Sequence, residues 1–165
     1  ARPDDELAIA HHDGTLYRNF QGYTTRAGAS LYGFGMSSIS QTDGSFRQNF
    51  KDLEEYTATL NRGALPIERG CLLTTEDRNR RTLIMDIMCR NRIDFASLSR
   101  RLGFDVEKAY GTELATLSDL AADGLIQLDS AGISITPTGE LFRRIIAMRF
   151  DAYLDRGPKR FSRTV

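Results

Sequence analysis

Glycine sets the tightest limits on how this chain folds, and it is placed unevenly. Arg18-Asn19-Phe20-Gln21-Gly22-Tyr23-Thr24-Thr25 is followed closely by Leu31-Tyr32-Gly33-Phe34-Gly35-Met36-Ser37-Ser38-Ile39-Ser40. The first stretch predicts a site-forming loop. The second predicts a strand over residues 31–39 broken by Gly33 and Gly35. Glycines two apart share one face of a strand, so something is expected to approach that face closely. Gly22 lets backbone reach a ligand. Gln21 offers donors and an acceptor together. The same letters also fit a tight turn with a packed tyrosine.

The remainder of the front segment, residues 1–48, predicts a short helix capped by Asp4 and ended by Gly14. A strand is expected at residues 15–17, and a turn at residues 41–45. These pieces offer no evident way to bury a core of their own, because one or two strands without partners are not stable alone.

From about residue 49 the pattern changes. Leu53, Tyr56 and Leu60 have helical spacing, stopped by Gly63 and Pro66, so residues 49–73 read as a connecting helix and linker. Thr74 with Asp77 three residues on forms a capping arrangement for a helix striped by Leu83, Ile84, Ile87 and Met88. Asp94 caps a short helix ended by Gly103. Asp105 caps a longer one bearing Val106, Ala109, Tyr110, Leu114, Leu117 and Ala121, ended by Gly124. Two strands flank Ser130-Ala131-Gly132, a hairpin signal. Pro137 opens a last helix rich in Leu141, Phe142, Ile145, Ile146, Met148 and Phe150. The expected fold is therefore mostly α with a small β wing. A winged-helix-like domain over 74–155 follows this front segment and connector, and a basic tail closes the chain at 156–165.

Charge narrows the functions open to such a module. The 22 basic and 22 acidic residues cancel, which gives no global pull toward nucleic acid or anionic membrane. A winged helix invites DNA binding, yet residues 105–123 carry Lys108 alone against Asp105, Glu107, Glu113, Asp119 and Asp123. Phosphate contact needs the opposite sign. The arginines at 78, 80, 81, 90, 92, 100 and 101 read as a solvated face with local ion pairs, or as a docking surface for carboxylates. No apolar run is long enough to span a bilayer. Cys71 and Cys89 form no CxxC and predict reduced, buried thiols. His11-His12 lacks a third ligand at metal spacing. Ser37, Ser38 and Ser40 lack a base, so no catalytic residue is assigned.

The stretches RNFQGYTT and GFGMSSIS, with residues 91–95, 122–125, 136–139, 150–154 and 160–163, resemble the carboxy-terminal part of the oxygen-independent coproporphyrinogen III oxidases. These are radical S-adenosylmethionine enzymes of haem synthesis. The resemblance covers essentially the whole chain, and implies that it is a piece of a longer protein. It implies a parallel α/β barrel upstream, with a [4Fe-4S] cluster on a CxxxCxxC motif that this chain does not contain. It also implies S-adenosylmethionine, whose cleavage yields a radical that takes hydrogen from a substrate propionate. Loss of carbon dioxide and an electron then leaves a vinyl group, and two such steps give protoporphyrinogen IX.

Carried over by position, Ile39 matches a residue lining one S-adenosylmethionine, and Phe20 and Gln21 match residues beside a second. No residue matches a metal ligand. The implied partners are coproporphyrinogen III, the protein's own barrel and an electron donor, in a cytoplasmic monomer that binds neither nucleic acid nor membrane. On this reading residues 1–48 are the last barrel elements, and the helices cap the barrel without catalysing alone. Two other readings remain: a stand-alone winged-helix interaction module, and a haem-binding relative of the family.

Overall fold

The computed structural model describes residues 2–154. The tail expected at 156–165, with Arg160-Phe161-Ser162-Arg163, lies outside the described residues. The chain divides into two compact units between Asn79 and Arg80.

The first unit opens with α1 (Glu6–His12), capped by Asp5 rather than Asp4. The Asp5 carboxylate accepts from the Leu7 and Ala8 amides, while Asp4 pairs with Arg2. Strands β1 (Tyr17–Asn19) and β2 (Gly22–Thr24) form a hairpin. Then β3 (Ile39–Gln41), β4 (Ser45–Asn49) and β5 (Ile67–Leu72) form an antiparallel sheet in that order, with α2 (Leu53–Asn61) between β4 and β5. The capping pair of Thr74 and Asp77 forms as predicted. Each side chain accepts from the other residue's amide, at 3.1 and 2.8 Å. They start α3 (Thr75–Cys89), inside which the division falls.

The second unit continues with β6 (Arg92–Asp94), α4 (Phe95–Leu102), α5 (Val106–Ala109), α6 (Gly111–Ala115) and α7 (Ser118–Ala122). It ends with β7 (Ile126–Asp129), β8 (Gly132–Ile135), α8 (Pro137–Glu140) and α9 (Arg143–Met148). The expected β7–β8 hairpin is present, and β6 adds a third strand beside β8.

Four sequence expectations are corrected. The fold is mixed helix and sheet, not mostly α with one small wing, since the described residues hold three sheets. Most strands are three to five residues long, too short for a period of two to stand out. Residues 31–39 are not a strand. Leu31 makes one isolated bridge to Gln41, and the segment then loops, with Gly35 at φ 94° and Ser37 at φ 59°. Left-handed backbone at two positions does not fit a strand.

The helix expected from Asp105 to Gly124 is three short ones. Gly111 weakens its middle. The Thr116 hydroxyl also takes the Glu113 carbonyl at 2.7 Å. The last helix is broken at Leu141–Phe142, which leaves Leu141, Phe142 and Ile145 exposed and turns Arg143 inward.

The core lies almost wholly in the second unit. Leu83, Ile87, Ile93, Phe95, Leu98, Val106, Tyr110, Leu117, Ile126, Ile133, Ile146 and Phe150 are buried there. Among the described residues of the first unit only Ala10 and Pro66 are buried apolar residues, and no residue of β4 is fully buried. That matches the expectation that residues 1–48 bury no core of their own.

Candidate functional site

Asn19 shapes the Phe20–Gln21 turn. Its Oδ1 accepts from the Gln21 amide at 2.8 Å and the Gly22 amide at 3.2 Å, and Gly22 takes φ 140°. A short polar side chain bonding backbone two residues on is the usual device for such a turn. Phe20 stands at its tip with 60% of its surface exposed, and Gln21 is exposed beside it. Opposite residues Arg18 and Tyr23 stack, with the guanidinium carbon 5.7 Å from the ring centre.

The turn is tied to the sheet. The Phe20 amide donates to the side-chain oxygen of Gln41 at 3.2 Å, and Gln41 is only 4% exposed. Ile39 and Gln41 are two apart on β3, so their side chains share a face. Their partners on β4, Gln48 and Phe46, bring Arg69 and Cys71 of β5 onto the same face. A shallow hollow of about 280 Å³ is lined there by Ile39, Phe46, Gln48, Arg69 and Cys71. Gln48 accepts from Nε and Nη2 of Arg69 at 2.9 and 2.6 Å, and donates to the Ser37 carbonyl at 3.0 Å.

Two of the three residues named from the sequence are thus linked through one strand. Phe20 is bonded to Gln41, two residues from Ile39. Gln21 stays at the turn tip, on the solvent side. Sequence reasoning missed Gln41 and Gln48. The alternation Ile39-Ser40-Gln41 was the signal that could have found the first. The glycine reading is corrected as well. At Gly33 the close neighbour is the protein itself, since an added Cβ would lie 2.8 Å from the Ile39 carbonyl oxygen. At Gly35 that position is open.

The other candidates resolve into local structure. The arginines expected to form one face are spread among partners. Asp86 takes Arg101 at 2.9 Å and Arg90 at 3.4 Å, and Arg92 reaches Asp129. Arg80 pairs with Glu113 at 2.7 Å, donates to the Phe150 carbonyl and lies over the Tyr110 ring. His12 is exposed and meets Asp13. Cys89 is buried as expected, but Cys71 is exposed on β5, at the hollow it shares with Ile39 and Phe46. Among the described residues no three His, Cys, Asp or Glu side chains stand together as a metal site. No helix among them is long and apolar enough to cross a membrane.

Residues 73–142 match the HemN C-terminal domain. Over its whole length the chain is similar to part of the oxygen-independent coproporphyrinogen III oxidases. It is 43% identical to that protein from Pseudomonas aeruginosa and 44% identical to the one from Thermostichus vulcanus, in each case over its full length. It covers 36% and 51% of those relatives, so it spans about a third to a half of their length. The solved structure of coproporphyrinogen III oxidase (HemN) from Escherichia coli, described as a radical SAM enzyme, superimposes with a TM-score of 0.89. That match has 40% identity over 93% of this chain and 36% of the other.

Proposed function

We propose that this chain is the capping part of an oxygen-independent coproporphyrinogen III oxidase, acting in the cytoplasm on two propionates of coproporphyrinogen III. The observation that carries the reading is the Phe20–Gln41 hydrogen bond, which holds the Phe20–Gln21 turn to the strand that bears Ile39. The face of β3–β4–β5 holding Ile39 and Phe46 is only half-buried in its own unit. Apolar residues left so on a sheet call for a covering layer.

Each propionate conversion removes carbon dioxide, one hydrogen atom and one electron. S-adenosylmethionine with a [4Fe-4S] cluster, when bound, supplies the hydrogen-abstracting chemistry, and an electron donor serves the cluster. In this reading Ile39 on the face and the Phe20–Gln21 turn tied to its strand suit an adenosyl group. Ile39 offers an apolar floor, Phe20 an exposed ring able to stack on a planar base, and Gln21 an amide that both donates and accepts. They bind and orient. No residue of this chain is assigned to the cluster.

In this reading residues 1–48 are the last barrel elements, joined by β5 across the 49–73 connector. Residues 74–154 form a winged-helix-like cap, with β7–β8 as the wing. The test is anaerobic assay of the full-length product of the reading frame that contains this segment, after iron–sulfur reconstitution. Release of two carbon dioxide molecules per coproporphyrinogen III, with consumption of S-adenosylmethionine, is expected. No consumption by cluster-loaded protein overturns the reading.

A further inference from the structure

We propose that Asn49 is a positioning residue of this site. It holds the loop of residues 33–38 in a strained shape that fixes where Ile39 enters β3. The inference rests on the reading of that face as an adenosyl site.

Asn49 ends β4 and reaches back under the loop. Its side-chain nitrogen donates to the Gly35 carbonyl at 2.9 Å and the Ser38 hydroxyl at 3.1 Å, with the Gly33 carbonyl at 3.5 Å. Its own amide donates to the Ser38 carbonyl at 2.9 Å. Ser38 closes the ring by donating to Gly35 at 2.7 Å. Ser37 lies inside this ring. Among the described residues it is the non-glycine at positive φ, 59°. Its amide donates to the Phe50 carbonyl at 2.7 Å, and its carbonyl accepts from Gln48. The Gly35 amide is held by the Tyr56 hydroxyl at 3.1 Å.

Left-handed backbone at a serine costs free energy and persists only where its surroundings over-determine it. Core packing does not account for this outlay. Phe34 is 91% exposed at the loop tip, and Tyr32 and Met36 are exposed as well. The loop buries little and is still held by polar bonds along its length. What it abuts is Ile39, whose backbone lies against Gly33, while the Gly33 amide bonds to Ser40 at 3.0 Å. A loop fixed in this way sets the position of the residue it leads into.

The test uses Asn49→Asp, which keeps the shape and loses the donor, and Asn49→Ala alone and with Ser37→Gly. In the 165-residue chain, either single variant should speed amide exchange at Ser37 on the order of tenfold. In the cluster-loaded full-length product, either should raise the KM for S-adenosylmethionine about tenfold, with less change in kcat and no change in cluster content. Glycine adopts the Ser37 conformation freely, so Ser37→Gly should return part of the lost affinity in the Asn49→Ala background. Released exchange at Ser37 with an unchanged KM overturns the inference and leaves the proposed function standing. Activity lost only in proportion to folded protein, without rescue by Ser37→Gly, overturns it too. If the wild-type protein does not bind S-adenosylmethionine, both fall.

Discussion

The guanidinium of Arg143 donates to the carbonyl of Ile87 at 2.7 Å. It also donates to the Arg90 carbonyl at 2.5 Å and to the Asn91 side-chain oxygen, and is only 8% exposed. The last carbonyls of a helix have no partner within it and carry negative partial charge. Arg143 therefore caps α3 from a distant point in the sequence. Replacing it with methionine keeps the stem and strands those acceptors. Arg143→Met should destabilise the chain by about 3 kcal/mol. Urea denaturation followed by circular dichroism would read this, and an unchanged midpoint would remove Arg143 from the framework.

Gly132 starts β8 at φ 154°, where a Cβ would lie 1.9 Å from the Ile93 carbonyl oxygen. Backbone atoms of β6 occupy that space, and no rotamer relieves the clash. Gly132→Ala should therefore part β6 from β8, at a cost on the order of 3 kcal/mol. Amide exchange at Ile93 would rise with it. A stable variant with slow exchange there would contradict the packing of the sheet.

Asp129 sits at the β7–β8 turn. Its carboxylate accepts from Arg92 and from the Ala131 and Gly132 amides, and the Arg92 bond is the main cause that holds its pKa below the usual value. A depressed folded-state value contributes stability that is present above the unfolded value, about 3.9, and lost as pH falls through the folded one. Asp129→Ala should therefore lower the denaturation midpoint at neutral pH. The gap to wild type should close in acid, below both pKa values. A gap independent of pH would assign the effect to side-chain packing instead.

Gln41 offers a local test of the site. Gln41→Leu removes the acceptor for the Phe20 amide and should speed its exchange about fivefold, the weight of one net hydrogen bond. Gln41→Glu keeps an acceptor oxygen and should preserve slow exchange. Equal rates in all three proteins would show that the turn does not depend on this bond.

Much of the chain from residue 74 onward was legible from local chemistry. Thr74, Asp94 and Asp105 cap where their side chains predict, because a cap is decided within four residues. Gly103 ends α4 at φ 80° for the same local reason. The hairpin around Ser130-Ala131 needed only its turn residues. The resemblance at RNFQGYTT and GFGMSSIS pointed to the proteins that the chain is similar to over its whole length.

Other features were not legible, because they depend on residues far apart in the chain. Nothing near Arg143 says that α3 ends beside it. The pattern at Leu141, Phe142 and Ile145 promised a buried stripe that a helix break turned outward. Gly33 and Gly35 signalled close approach, but only the fold showed that Ile39 lies against Gly33 and that Gly35 is open.

The sequence by itself determined the caps, the turns and the likeness to known proteins, since these follow from side chains bonding their own backbone and from short motifs. Tertiary structure alone decided that Gln41 joins Phe20 to the strand of Ile39, that Asn49 holds Ser37 in a left-handed conformation, and that Arg143 closes α3. Each of those bonds joins groups that meet only after distant segments have folded together, and no local pattern encodes such a meeting.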